Sequence, residues 1–209
     1  MKRLLHIIAT PREEASRTLK VTKAFLDPFQ QKNPEWVIDE LNLIQTKLPS
    51  LTMRRVDGKY LLMSGKNLFG EAKEAWEEIL QHIERFKSAD GYLISSPMWN
   101  FNVPYMLKHY IDILVQPKYL FEYTKSGVEG LIKNKKMVVI GSYGGEYLTP
   151  ETQGMNFHEP YLRTIFGYVG ITDIRFIVAQ GMDMGQRQQP ALEAAKIEAQ
   201  KLGNEFIYA

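Results

Sequence analysis

The sequence of 209 residues contains no cysteine, and this absence excludes several kinds of chemistry. Disulfides, thiolate metal sites and cysteine nucleophiles are impossible, so the low-molecular-weight phosphatases, which act through a cysteine, are excluded. A glycine-rich loop ending in Gly-Lys-Ser or Gly-Lys-Thr is also missing, which excludes a P-loop nucleotidase. A chain without cysteine is consistent with a reducing cytoplasm.

Long apolar runs and blocks of like charge are missing as well. No apolar stretch reaches the ~20 residues that a membrane-spanning helix needs, and charge interrupts the amino-terminal run too early for a signal peptide. The net charge is +2, with 26 basic and 24 acidic residues and no dense basic segment. We therefore expect a cytoplasmic protein that binds neither membranes nor nucleic acids.

What the sequence does contain is a regular alternation of apolar runs and helical patterns. Helical patterns lie between the five runs and after the last one, and this order predicts a parallel sheet covered on both faces. With no linker or repeat, residues 1–209 are expected to form one α/β domain, a flavodoxin-like doubly wound sheet of five parallel strands. The strands are predicted at RLLHIIA (3–9), EWVIDELNL (35–43), DGYLISS (90–96), KKMVVIGSY (135–143) and DIRFIVAQ (173–180).

Two segments fall outside this alternation. Residues 44–67 show no regular hydrophobic period, and Arg54–Asp57 with Gly58 are predicted to form a loop or lid that could cover a substrate. Aromatic residues alternate from 119 to 123, which suits the wall of a substrate pocket. One face of a short hairpin strand is the preferred interpretation of that alternation.

Ligands of a doubly wound sheet bind beyond the carboxyl ends of its strands. Three loops of different composition meet there: TPREEASRT (10–18), SPMWNFNVP (96–104) and GSYGGEY (141–147). We expect any binding site of this chain to be built from these three loops.

The first loop carries hydroxyl groups around the start of a helix. Thr10, Ser16 and Thr18, with free backbone N–H groups and the helix dipole, suit a phosphate, and Arg12 or Arg17 could add positive charge. Two acidic neighbours oppose an anion site unless they point outward. A Ser16 cap on the helix in a solvated turn explains the same residues equally well.

The second loop combines large apolar side chains with an amide. Met98, Trp99 and Phe101 offer faces for stacking, and Asn100 offers hydrogen-bonding groups, as a planar heteroaromatic ligand requires. The alternative is a loop packed against its neighbours, and we favour the ligand-binding interpretation.

The third loop has adjacent glycines, Gly144 and Gly145, which permit close backbone approach to a flat ligand. Taken alone, they are better explained as a plain turn. Taken together, the three loops describe a ligand with a phosphate at one end and a polar aromatic ring at the other. FMN meets that description.

Four motifs carry a resemblance to a known family. They are PMWNFNVP (97–104), YTKSGVEGL (123–131), GSYGG (141–145) and YLRTIFGYVGITDIRFI (161–177). In order and spacing they resemble the FMN-dependent NADH azoreductases, also described as FMN-dependent NADH:quinone oxidoreductases. Trp99 stands where that family usually has tyrosine, and Tyr143 stands where it usually has arginine.

The resemblance implies a flavodoxin-like homodimer with one FMN per subunit near the dimer interface. It places the backbone N–H of Asn100 near flavin N5, and Gly144 and Gly145 near flavin O2. The implied cofactor-binding residues are Thr10, Ser16, Arg17 and Thr18 at the phosphate, Pro97, Met98, Trp99, Asn100 and Phe101 at the isoalloxazine, and Ser142, Tyr143, Gly144 and Gly145 at its pyrimidine edge.

The resemblance also implies the reaction. NADH or NADPH would give a hydride to the flavin, and a quinone or an azo compound would then take two electrons at the same place, in a ping-pong sequence. No catalytic side chain is required, because the cofactor carries the chemistry. No metal is expected, since His158 lacks the second histidine of a zinc helix. An electron carrier and a redox sensor remain the alternatives.

Overall fold

The computed structural model describes residues 1–207, and a sheet of five parallel strands forms its centre. The strands lie in the order β2–β1–β3–β6–β7, which is the flavodoxin-like order, so the predicted fold is confirmed. The three inner strands are largely apolar and buried by helices on both faces, as parallel strands usually are. The bounds of the five strands are β1 (Lys2–Ile8), β2 (Trp36–Asn42), β3 (Gly91–Ser95), β6 (Lys136–Ser142) and β7 (Asp173–Ala179).

Seven helices accompany the sheet in residues 1–207, and most of them bury apolar side chains against it. Helices α1 and α7 share one core on one face, and α3, α4 and α6 share the other core on the opposite face. None of these helices is long and apolar enough to cross a bilayer. Their bounds are α1 (Arg17–Lys32), α2 (Met53–Met63), α3 (Gly70–Lys87), α4 (Tyr105–Leu114), α5 (Pro150–Gln153), α6 (His158–Tyr168) and α7 (Gln188–Glu205).

Helix α2 corrects one sequence-based expectation. Arg54–Asp57 and Gly58 were expected in a loop or lid, but they lie inside this helix, which packs against α3. The side chain of Arg55 donates to the carbonyl oxygen of Ala75 (2.7 Å), and Trp76 Nε1 donates back to the carbonyl oxygen of Arg55 (2.9 Å). Contacts with α3, rather than a strong hydrophobic period of its own, therefore hold α2 in place.

The aromatic residues after α4 confirm the hairpin interpretation. Strand β4 (Phe121–Thr124) pairs with β5 (Gly127–Gly130) as an antiparallel hairpin. Phe121 is buried, whereas Tyr123 is exposed on the same face closer to the tip. This small sheet is separate from the central one.

Gly203 allows α1 and α7 to pack closely. A Cβ atom at this position would lie 2.3 Å from the carbonyl oxygen of Phe25, so one helix would have to move. We expect Gly203→Ala to lower the free energy of unfolding by about 1–3 kcal/mol. The matched control is Gly167→Ala in α6, where a Cβ meets nothing within 4 Å.

The control should raise the free energy of unfolding by about 0.5–1 kcal/mol, because alanine favours the helix over glycine. Urea unfolding followed by circular dichroism measures both variants. Equal effects of the two substitutions would contradict the packing explanation.

Candidate functional site

A cavity of about 180 Å³ opens at the carboxyl edge of the sheet, where the three loops meet. Three of the residues proposed from the sequence, Asn100, Phe101 and Gly145, are not among its lining residues, and Met182 and Asp183 are additional ones. The proposed residues that do line it are Thr10, Arg12, Ser16, Arg17, Thr18, Pro97, Met98, Trp99, Ser142, Tyr143 and Gly144.

The first wall of the cavity is a cluster of buried hydroxyl groups at the start of α1. Thr10 Oγ1 and Ser16 Oγ lie 3.2 Å apart, and Thr18 Oγ1 forms a 2.7 Å hydrogen bond with Ser142 Oγ. Ser16 Oγ also accepts from the backbone N–H of Leu19 (3.3 Å), so the capping interpretation is correct. Capping and anion binding are compatible here, because a helix start has several N–H groups without helical partners.

Arg17 brings positive charge to this wall. Its Nη1 donates to Asp183 Oδ1 at 2.7 Å. The side-chain amide of Gln188 is oriented with its oxygen toward Arg17, and Arg17 Nε donates to this oxygen at 2.8 Å. The neighbouring acidic residues, Glu13 and Glu14, are exposed in a short 3₁₀ helix. Sequence reasoning missed Asp183, although its place just after the last strand puts it at the same edge of the sheet.

The segment from Trp99 to Asn102 is a tight turn with an unusual backbone. Two hydrogen bonds close it, from Trp99 N to Asn102 O (2.8 Å) and from Asn102 N to Trp99 O (2.9 Å). The φ angles of Asn100 and Phe101 are 46° and 68°, as a type I′ turn requires. Asparagine tolerates this region, but for phenylalanine it stores strain of about 1–3 kcal/mol.

The carbonyl oxygen of Phe101 accepts a hydrogen bond from the backbone N–H of Phe157 (2.9 Å), immediately before α6. The start of α6 therefore helps to hold the strained turn in place.

The segment from Ser142 to Gly144 forms another wall of the cavity. Gly144 lies against Asp183, and a Cβ atom there would come within 2.5 Å of the Asp183 carboxylate. Tyr143 was expected at the cofactor edge. It lines the cavity, but it is only 1 % exposed and its hydroxyl lies 3.1 Å from His158 Nδ1.

His158 is a buried residue that sequence reasoning considered only as a metal ligand. Its Nε2 lies 2.9 Å from Ser96 Oγ, and burial lowers the pKa of His158 to about 4, so the ring is neutral. Burial also raises the pKa of Tyr143. Within residues 1–207, no cluster of three His, Asp or Glu side chains is suited to hold a metal ion.

Comparisons with known proteins agree with this architecture. A family model described as a flavodoxin-like fold matches residues 2–202. The chain is 35% identical over 204 residues to the FMN-dependent NADH:quinone oxidoreductase of Nitratidesulfovibrio vulgaris strain Hildenborough, covering 94% of this chain and 97% of that protein. It is 34% identical over 208 residues to the protein of the same name from Coprothermobacter proteolyticus, covering 99% and 100%.

Solved structures show the same likeness. An azoreductase from Bacillus anthracis strain Sterne superposes with a TM-score of 0.90 and 27% identity, covering 99% of this chain and 100% of that one. An FMN-dependent NADH-azoreductase from Bacillus anthracis strain Ames Ancestor, in complex with FMN, gives a TM-score of 0.83 and 29% identity, covering 98% and 100%.

The neutral His158 predicts a specific pH dependence of stability. Its pKa is about 4 in the folded chain and ordinarily 6.5, so between these values the unfolded chain binds more protons. Stability therefore falls as the pH falls through this window, by about 3 kcal/mol in all from this group. The free energy of unfolding of His158→Gln should lack this part of the slope.

Urea unfolding at several pH values from neutral to about 4 compares the two proteins. Other titrating groups, such as Asp39, contribute to both curves in the same way. Parallel curves would show that His158 is not held neutral in the folded chain.

Proposed function

The chain belongs to the flavodoxin-like family and, within it, to the FMN-dependent NADH:quinone oxidoreductases, and from this premise we propose that it is an FMN-dependent NAD(P)H oxidoreductase. It transfers two electrons to quinones and reductively cleaves aromatic azo compounds. One observation carries this proposal: a single cavity joins a hydroxyl-rich helix start to an aromatic turn and a glycine loop. The family that the four motifs indicate is confirmed.

The hydroxyl wall fits the phosphate of FMN. Thr10, Ser16 and Thr18 bring buried hydroxyls to the start of α1, where backbone N–H groups and the helix dipole favour a dianion. Arg17 supplies the opposite charge from the same wall. Because Arg17 also bonds Asp183, it is held in place before any ligand arrives.

The other two loops fit the isoalloxazine. Pro97, Met98 and Trp99 line the cavity, and the turn at Asn100 and Phe101 lies beside them. Within residues 1–207 the backbone N–H of Asn100 has no hydrogen-bond partner, which leaves it available to flavin N5. When bound, FMN supplies hydride acceptance and two-electron transfer.

The pyrimidine edge of the ring would face Ser142, Tyr143, Gly144 and Gly145. The backbone N–H groups of the two glycines are proposed as donors near flavin O2, where negative charge develops on reduction. A Cβ at Gly144 would come within 2.5 Å of Asp183 Oδ2, so a side chain there would displace the carboxylate that pairs with Arg17. Glycine therefore lets the chain bring a backbone donor up to a flat ligand.

An apolar cleft of about 300 Å³ adjoins the cavity and shares Trp99 with it. Leu43, Ile44, Tyr105 and Met106 are among its walls, which suit a nicotinamide or a quinone ring. Donor and acceptor would occupy the same place in turn, giving ping-pong kinetics. The side chains bind, orient and exclude water, and solvent supplies the protons of the product.

We further propose that the active form is a homodimer. Apolar side chains cluster at the mouth of the cavity: Trp99 lies 6.4 Å from Tyr105 between ring centres, Phe101 lies 6.4 Å from Tyr147, and Phe157 and Tyr105 are 55% and 74% exposed. Such a patch is typical of an interface. The cytoplasm is the proposed location, because cells hold their NADH and NADPH pools there.

An anaerobic absorption spectrum tests the function directly. The purified protein with FMN should show flavin bands, and NADH should bleach them within the time of mixing; a quinone should then restore them. Bands that NADH leaves unchanged would favour an electron carrier or a redox sensor. Absence of bound flavin would refute the site altogether.

Ser16 offers a matched pair of variants for the phosphate site. Aspartate and asparagine both cap helices well, so Ser16→Asp and Ser16→Asn differ mainly in one negative charge. We expect Ser16→Asp to bind FMN about tenfold or more weakly than Ser16→Asn, because a carboxylate repels the phosphate. Fluorescence titration measures the dissociation constants.

Riboflavin, which lacks the phosphate, provides the control. Its affinity should be the same for Ser16→Asp and Ser16→Asn. If FMN also fails to distinguish the two variants, its phosphate binds elsewhere.

A further inference from the structure

Three buried side chains form a continuous hydrogen-bonded chain behind the cavity, and we name them the buried bridge. The Tyr143 hydroxyl lies 3.1 Å from His158 Nδ1, and His158 Nε2 lies 2.9 Å from Ser96 Oγ. Their exposures are 1 %, 0 % and 0 % respectively. Each comes from a different segment: the loop after β6, the start of α6 and the loop after β3.

Every member of the buried bridge has a partner for its hydrogen-bonding atoms. A neutral imidazole donates from one nitrogen and accepts at the other, and each hydroxyl can take the complementary role. The deep burial of His158 keeps it neutral. Removing one member leaves another polar group buried and unpaired, so the three side chains act together.

The bridge ends next to residues of the cavity. Ser96 precedes Pro97, and Tyr143 precedes Gly144, and both of these neighbours line it. The same loops are also joined by a hydrogen bond from Met98 N to Ser142 O (3.0 Å). The start of α6 is thus linked to the aromatic turn through Phe101 and to the glycine loop through His158.

The inward position of Tyr143 has an electrostatic consequence. A side chain that is 1 % exposed and bonded to His158 brings no formal charge to the glycine loop. Asp183, the charged group closest to Gly144, is negative and is paired with Arg17. Apart from the Ser142 hydroxyl, which bonds Thr18, negative charge at the pyrimidine edge would be met by backbone N–H groups, whose effect depends closely on distance.

On the basis of the function proposed above, we propose that Tyr143 and His158 are positioning residues for the flavin. The buried bridge fixes the spacing between the aromatic turn and the glycine loop. Through that spacing it sets the affinity for FMN and the midpoint potential of the bound cofactor. Neither residue touches the reacting atoms.

Two variants break the buried bridge at different members. Tyr143→Phe deletes only the hydroxyl, and His158→Leu deletes both bonds of the imidazole. The control is Tyr110→Phe, because the Tyr110 hydroxyl is buried and has no partner within residues 1–207. The readouts are the FMN dissociation constant, the visible spectrum of the bound flavin, its midpoint potential, and urea unfolding without FMN.

We expect Tyr143→Phe and His158→Leu to bind FMN about three- to tenfold more weakly, with a shifted flavin spectrum and a changed midpoint potential. Tyr110→Phe should match the wild type in all three. The double variant of Tyr143 and His158 should show less than the summed effect of the single variants, because the bridge is already broken in each.

Conservative variants separate positioning from folding. His158→Gln retains an amide near the place of Nε2, facing Ser96, and His158→Asn retains one near Nδ1, facing Tyr143. Each should recover part of the affinity and potential lost in His158→Leu. If His158→Leu does not fold, Tyr143→Phe and these two variants decide the question.

The possible results distinguish this proposal from the function on which it rests. Variants that unfold more easily but keep the wild-type affinity, spectrum and potential would overturn the positioning role, leaving the flavin site intact. A wild-type protein that binds no FMN would refute the proposed function, and the positioning role with it.

Discussion

Hydrogen bonding between parallel strands determines where this protein can bind a ligand. Pairing Ile8 with Ser95 and Ser142 with Ala179 brings the carboxyl ends of the strands to one edge of the sheet. The helices cover both faces, so the loops at this edge are the exposed ends of an otherwise buried layer. Hydroxyls, glycines and aromatic side chains from loops far apart in the chain therefore meet in one cavity.

The position of the binding edge of the sheet also explains why some polar residues are buried in the core. Ser95 ends the central strand, Ser96 follows it directly, and their hydroxyls bond to residues on opposite faces of the sheet. Each is hydrogen-bonded to a buried histidine, Ser95 to His6 at 2.8 Å and Ser96 to His158 at 2.9 Å. The hydroxyls of Ser95 and Ser96 are thus buried without being left unpaired.

The two residues that the resemblance marks as departures from the family pattern have different structural settings. Trp99 keeps an aromatic ring between the cavity and the neighbouring cleft. Tyr143 turns inward to His158, fifteen residues later in the chain, where an arginine would carry a charge that this buried place does not accommodate. The identity of residue 143 therefore becomes understandable only beside its buried partner.

The sequence by itself determined the alternation of strands and helices, the sheet edge, the three loops and the hydroxyl-rich helix start. These features depend on local periodicity and on residue types at fixed places along the chain. Only the tertiary structure decided the helix at Arg55, the positive φ of Phe101, the Arg17–Asp183 pair and the buried bridge. Each depends on groups distant in sequence, whose contacts exist only once the chain has folded.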